Sequence, residues 1–196
     1  MEPFQKIISR LIPIVRDNID TDQIIPAQYL KVTGKNGLGE ACFASWRYNP
    51  DGTPKPEFPI NLPEYSAAQV ILAGDNFGCG SSREHAAWAL SDLGIRAVIS
   101  TSFADIFRNN AMKNGILPVI VDQSTHTYIV ESVQTDPLCE VEIDLERQEL
   151  TLPDGKICGF PVDLFNKLCL LEGLDSLEYL LKHREQITAY EKAHNT

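Results

Sequence analysis

Basic residues are scarce in this chain: 17 lysines and arginines stand against 27 aspartates and glutamates, a formal net charge of −10 over 196 residues. So acidic a surface argues against nucleic acid or an anionic membrane as partner, and an anionic ligand would need a local basic pocket. Cysteine is equally thin. The five cysteines (Cys42, Cys79, Cys139, Cys158, Cys169) are odd in number and scattered, with no C-x-x-C pair, which argues against both a disulfide framework and a self-contained metal site. No apolar run reaches the length of a membrane span, and Met1 to Arg10 lacks the basic head and apolar core of a secretory leader. A cytoplasmic protein is the expectation. Internal repeats, heptads and low-complexity tracts are missing too. What remains is 43% hydrophobic and 22% charged, ordinary for a globular protein and enough chain for one well-buried domain spanning 1–196.

The stretch that organises the rest is Ile71 to Leu90, ILAGDNFGCGSSREHAAWAL. An apolar run leads into a glycine-rich loop, two serines and an amphipathic segment: strand, tight turn, helix start. Gly74, Gly78 and Gly80 permit backbone angles that a β-carbon obstructs, so the loop can bring its amides close to a small ligand. Ser81 or Ser82 is the expected N-cap, and the helix that follows points its positive end at whatever sits beside the loop. An anion is the expected ligand. Ser-Ser-Arg alone reads as an ordinary helix cap, but a cap needs no glycine triplet. The Walker lysine is absent and the spacing is not the dinucleotide fingerprint. Cys79 lies where helix-end amides could activate a thiol, yet no histidine and carboxylate pair is clearly placed to make it a nucleophile.

Around this stretch the chain reads in order. Ile7 to Val15 is a first strand, with Pro13 suggesting an edge or irregular position. Arg16 to Asp22 (RDNIDTD) is a cluster of turn and cap residues, and Pro26 opens a short helix. Lys31 to Pro63 is long and aperiodic, with Phe43, Trp46 and Tyr48 as an aromatic anchor. Strands over Gln69–Ala73, Ala97–Ser100 and Ile116–Val121 alternate with helices over Arg83–Leu93, Phe103–Lys113 and Thr125–Val133, which predicts an α/β core with parallel pairing. Cys139–Leu145, Gln148–Leu152 and Lys156–Phe160 read as added antiparallel hairpins. Helices over Asp163–Leu171 and Ser176–Tyr190 close the chain. His126, His183 and His194 read as structural or exposed, away from the motif.

The string GCGSSREHA, preceded by Asp75, Asn76 and Phe77 and followed by SFADIF from Ser102, resembles the swivelling domain of the aconitase superfamily. Within it the chain is most similar to the small-subunit family of isopropylmalate dehydratases, and the likeness runs from Arg16 to the C-terminal helix. The resemblance implies a swivelling β/β/α domain that supplies half an active site of a hydro-lyase. By the same resemblance, Ser81 is the base and Arg83 its neighbour and carboxylate clamp, while Asp22, Gly80, Ser82 and Thr33 bind or support the substrate. The cofactor it implies is a four-iron four-sulfur cluster on a separate large subunit, with no metal on this chain. That large subunit and a small hydroxy dicarboxylate are then the partners. In related aconitases the arm carries an arginine for an extra substrate carboxylate; here Tyr29 to Gly34 offers none, which favours an apolar branch. Related hydro-lyases acting on homoaconitate, citraconate or dimethylmalate, a non-catalytic carboxylate-binding module, and a stand-alone cysteine enzyme using Cys79 stay open as alternatives.

Overall fold

The computed structural model describes residues 1–30, 34, 37–81 and 83–194. Seven strands form one mixed sheet in the order β4-β3-β2-β1-β5-β6-β7. They are β1 Ile7–Ile14, β2 Val70–Ala73, β3 Ala97–Ser100, β4 Leu117–Ile120, β5 Glu140–Asp144, β6 Glu149–Thr151 and β7 Ile157–Gly159. The parallel half, β1 to β4, steps outward one strand at a time, each strand in register with the last. The antiparallel half, β5 to β7, grows from the other side of β1.

The longer helices are α3 Glu84–Asp92, α4 Asp105–Lys113, α5 Gln123–Thr135 and α6 Leu164–Glu172. Short helical turns α1 Thr21–Ile24 and α2 Ala44–Arg47 precede them, and α7 Ser176–Lys182 and α8 Arg184–His194 follow. Because the sheet grows in one direction from β1 to β4, right-handed crossovers put α3 and α4 on one face. Alternate strand residues then point to two cores. Ile12, Ile71 and Val98 meet Ala86, Leu90 and Phe107 on that face. Leu11, Leu72 and Ile99 meet Ile129, Val133 and Leu170, from α5 and α6, on the other. All four residues of β2 and of β3 are buried, as continuous apolar runs in a sheet covered on both faces should be.

Several expectations change on contact with the structure. Pro13 lies in the most central strand, not at an edge of the sheet. It is tolerated because β5 pairs only with Ile7–Arg10, so from Leu11 onward β1 is paired on the β2 side alone, and a missing N–H need leave no ladder bond unmade. The single helix expected over Ser176–Tyr190 is two, broken at His183. The aperiodic region after Lys31 contains α2 and three single turns of 3-10 helix, Gly39–Ala41, Pro59–Asn61 and Pro63–Tyr65. Its anchor is Phe43, fully buried and stacked on Trp46 at 5.8 Å between ring centroids. Phe58 completes the cluster. Tyr48 instead lends its hydroxyl to the Glu40 carbonyl, 3.0 Å away.

Candidate active site

Three chain segments leave the carboxyl ends of β1, β2 and β3 side by side, the place where open α/β sheets bind ligands. The loop after β2 is fastened to the loop after β1 along its whole length. Asp17 Oδ1 accepts from the Asp75 amide at 2.8 Å, and the Asn18 amide donates to the Asp75 carbonyl at 2.8 Å. Gly78 and Cys79 both donate their amides to the Ile19 carbonyl, at 2.8 and 3.2 Å, and the Thr21 amide returns a bond to the Cys79 carbonyl at 2.9 Å. The two loops thus run as a short parallel bridge centred on Asp20 and Cys79.

The glycines are explained by this closeness. Gly78 (φ 77°) and Gly80 (φ 88°) adopt left-handed backbone, and a β-carbon at Gly78 would overlap the Phe107 ring, one at Gly80 the Asp20 carboxylate. A β-carbon at Gly74 would strike Arg16 and Asp17. The loop after β3 supports the other side. Ser102 Oγ donates to Asp75 Oδ1 at 2.6 Å while accepting from the Asn76 amide at 2.9 Å, and Thr101 Oγ1 adds a second donor to the same carboxylate oxygen at 2.8 Å. These hydroxyls, Ser102 first, hold the Asp75 carboxyl below the usual carboxylate range.

At the end of the loop Ser81 is exposed, and Arg83 Nη1 forms an ion pair with Asp22 Oδ1. The pair is asymmetric in exposure, the arginine side chain 22% accessible and the aspartate 51%. Arg83 Nη1 itself is buried, in contact with that carboxylate. A guanidinium has further N–H groups, which suit an incoming carboxylate oxygen. Asp20 acts as the cap expected of that cluster, its carboxylate accepting from the Asp22 amide at 2.7 Å, in a capping box closed by Gln23.

Of the residues singled out in the sequence, Asp22, Gly80, Ser81 and Arg83 fall together here. Ser82 and Thr33 lie outside the described residues. The expected cap at Ser81 or Ser82 is corrected: α3 begins after Arg83, which is itself the N-cap residue and gives no side-chain cap. The Ser81 carbonyl accepts from the Thr21 hydroxyl at 2.7 Å. His126 is structural, but it is not away from the motif: it is buried, with Nε2 2.7 Å from the carbonyl of Ala73, directly before the loop. Cys79 is no activated thiol, because burial, and then the nearby Asp20 carboxylate, push its pKa up.

Sequence reasoning missed Thr21 and the Asp75–Ser102 latch, whose only sequence signal is a small hydroxyl residue at the end of a strand. Among the described residues no group of three or more histidines, cysteines, aspartates and glutamates could hold a metal ion. Cys42 and Cys169 are buried, and all five thiols are unpaired. The described residues therefore bring together no donor set of the kind an iron-sulfur cluster takes. A cavity of about 730 Å³ opens beside Gln28, Tyr29, Glu40, Ser45, Tyr48 and Lys55, but Asp22, Ser81 and Arg83 are not in its walls.

Comparison with known proteins gives the family. The model of the aconitase C-terminal domain matches residues 1–124. The 3-isopropylmalate dehydratase small subunit of Anaeromyxobacter dehalogenans is 53% identical over 191 residues, covering 97% of this chain and 98% of that protein. Its counterpart from Chloroflexus aggregans is 54% identical over 194 residues, covering 99% and 95%. The crystal structure of 3-isopropylmalate dehydratase from Methanocaldococcus jannaschii superposes with a TM-score of 0.65 at 34% identity, covering 95% of this chain and 99% of that one. With a glycine loop clasped against Asp20, an exposed Ser81 and a paired Arg83 at its end, and full-length relatives of one kind, this chain belongs to the 3-isopropylmalate dehydratase small-subunit family of the aconitase superfamily.

Proposed function

We propose that this chain supplies the proton-transfer half of an enzyme that interconverts 2-isopropylmalate and 3-isopropylmalate through 2-isopropylmaleate, a step of leucine biosynthesis. The observation that carries the reading is the adjacency of exposed Ser81 to the Arg83–Asp22 pair at the end of a rigidly held loop.

Dehydration removes a proton from one carbon and a hydroxyl from its neighbour, leaving the alkene; rehydration returns them exchanged. Ser81 takes the carbon-bound proton in one direction and returns it in the other. A serine hydroxyl is a weak base, so its alkoxide needs positive potential close by in a site closed to water, and Arg83 with the start of α3 supplies it. Arg83 also receives a substrate carboxylate, and Asp22 holds the guanidinium toward the loop. The hydroxyl's departure needs a Lewis acid, which a four-iron four-sulfur cluster held by a large subunit would supply; the described residues of this chain contribute no ligand group to it. The exposure of Ser81 fits a site completed by that second chain.

The test is a coupled assay. The purified chain is mixed anaerobically with a reconstituted large subunit, and ultraviolet absorbance follows the alkene from 2-isopropylmalate, 3-isopropylmalate and citraconate. Turnover only in the mixture, fastest with the isopropylmalates, is the expected result. Robust dehydration by this chain alone would overturn the two-chain reading, and preference for citraconate would overturn the substrate.

A further inference from the structure

The catalytic loop ends on a tie that comes from outside it. Thr21 is 2% exposed and opens α1. Its backbone amide donates to the Cys79 carbonyl at 2.9 Å, and its hydroxyl donates to the Ser81 carbonyl at 2.7 Å. The alternative acceptor, Asp20 Oδ1, stands 3.4 Å away, so the single hydroxyl proton is committed to Ser81. One residue therefore grips both carbonyls that flank Gly80, while the neighbouring Asp20 carboxylate fills the space where a Gly80 side chain would be. The grip holds the Ser81 carbonyl, and with it the stretch of backbone from which the Ser81 side chain leaves.

We infer that Thr21 is the positioning residue for Ser81, its hydroxyl holding the Ser81 peptide so that the serine oxygen faces the substrate proton. This rests on the reading of Ser81 as the base. The adjacent acid, Asp22, touches Arg83, so α1 presents consecutive residues to the two working residues: Thr21 to the backbone carbonyl of the serine and Asp22 to the guanidinium of the arginine. A misplacement of about 1 Å at a reacting group can cost on the order of 10²-fold in rate, which sets the scale of the effect.

The experiment compares Thr21→Val, isosteric without the hydroxyl, with Thr21→Ser, which keeps it, in the enzyme assembled with its large subunit. Thr21→Val should lower kcat by about 10- to 100-fold, by the same misplacement argument, with KM changed less than about 2-fold; Thr21→Ser should recover most of kcat. A purely structural threonine would instead lower thermal stability and the yield of assembled enzyme while leaving kcat per assembled site unchanged. Near wild-type kcat in Thr21→Val, or equal losses in both variants, would overturn the assignment. Thr21→Ala, which brings no new apolar group, serves in place of Thr21→Val should the latter not fold. Hydrogen exchange of the full chain gives a second readout independent of turnover. Amides of 79–83 should exchange faster in Thr21→Val than in wild type or Thr21→Ser, and unchanged exchange would overturn the tie. If the wild-type assembly were inactive on isopropylmalates, the function reading would fall while the exchange result still decided the role of Thr21.

Discussion

Ser81, Arg83 and Cys79 sit within a few residues of one another, yet their surroundings assign them different chemistry. Ser81 is exposed and ends a loop whose backbone is held on both sides. Ser81→Ala should assemble normally and lose about 10²- to 10⁴-fold in kcat, the usual worth of a general base, and a rate near wild type would remove Ser81 from that role. Arg83 meets Asp22 through Nη1 of its guanidinium. Lysine keeps the charge but offers a single point of contact, so Arg83→Lys should cost about 10²-fold or more in kcat/KM, since a planar two-pronged contact is lost. Cys79 has its thiol pKa pushed up by burial and by Asp20, which is the reverse of what a nucleophile needs. Cys79→Ala should therefore retain most of the activity, and its loss would return the cysteine-enzyme alternative to consideration.

At the scale of elements, the loop after β2 depends on two neighbours, the turn after β1 and the turn after β3. Ser102 contributes both an acceptor for the Asn76 amide and a donor to Asp75. Ser102→Ala removes both bonds, each worth about 1 kcal/mol net, so exchange of the Asn76 amide should quicken by about tenfold or more while the far sheet, β5 to β7, is unaffected. Uniform quickening across the chain would mean global destabilisation instead. Much of this architecture was legible beforehand. The alternation of buried runs with helices ended by Gly94 and Gly115 is local information, and both glycines are at positive φ as a helix-ending turn requires. The glycine loop was legible for the same reason. What could not be read was which segment fills the space that the glycines leave, because the contacts of Gly80 with Asp20 and of Gly78 with Phe107 join residues far apart in sequence. That is also why Ser81 looked like a cap: its backbone is committed to Thr21, a partner 60 residues earlier. The aperiodic arm looked loose because 3-10 turns have no hydrophobic period, although Phe43 carries it into the core. The break at His183 has no sequence signal as strong as glycine or proline.

The whole molecule carries an excess of acid, and some of it is placed where ionisation stabilises the fold. Asp122 caps α5 and accepts from Ser124 Oγ at 2.5 Å and from the Thr125 amide at 2.8 Å. These bonds, the Ser124 hydroxyl first, lower its pKa to about 2. An unfolded aspartate titrates near 3.9, so this stabilisation is fully present above about pH 4 and is lost as the pH falls through about 2. Asp122→Ala should lower Tm at neutral pH, and its difference from wild type should shrink steadily between about pH 4 and pH 2, following that titration. A difference independent of pH would mean that the carboxylate charge plays no part in the cap. Beyond stability, the position of β1 sets the order in which the molecule can be made. Its upper half pairs with β2, its lower half with β5, whose Ile143 lies opposite Ile7. On the ribosome this first strand emerges early and waits while roughly 130 further residues are added, on the order of ten seconds at ordinary rates of synthesis. During that interval an apolar strand has no antiparallel neighbour, and the parallel half, Asp20–Gly80 clasp included, can close before β5 to β7 exist. The glycine loop is thus built on the portion of the chain that is finished first.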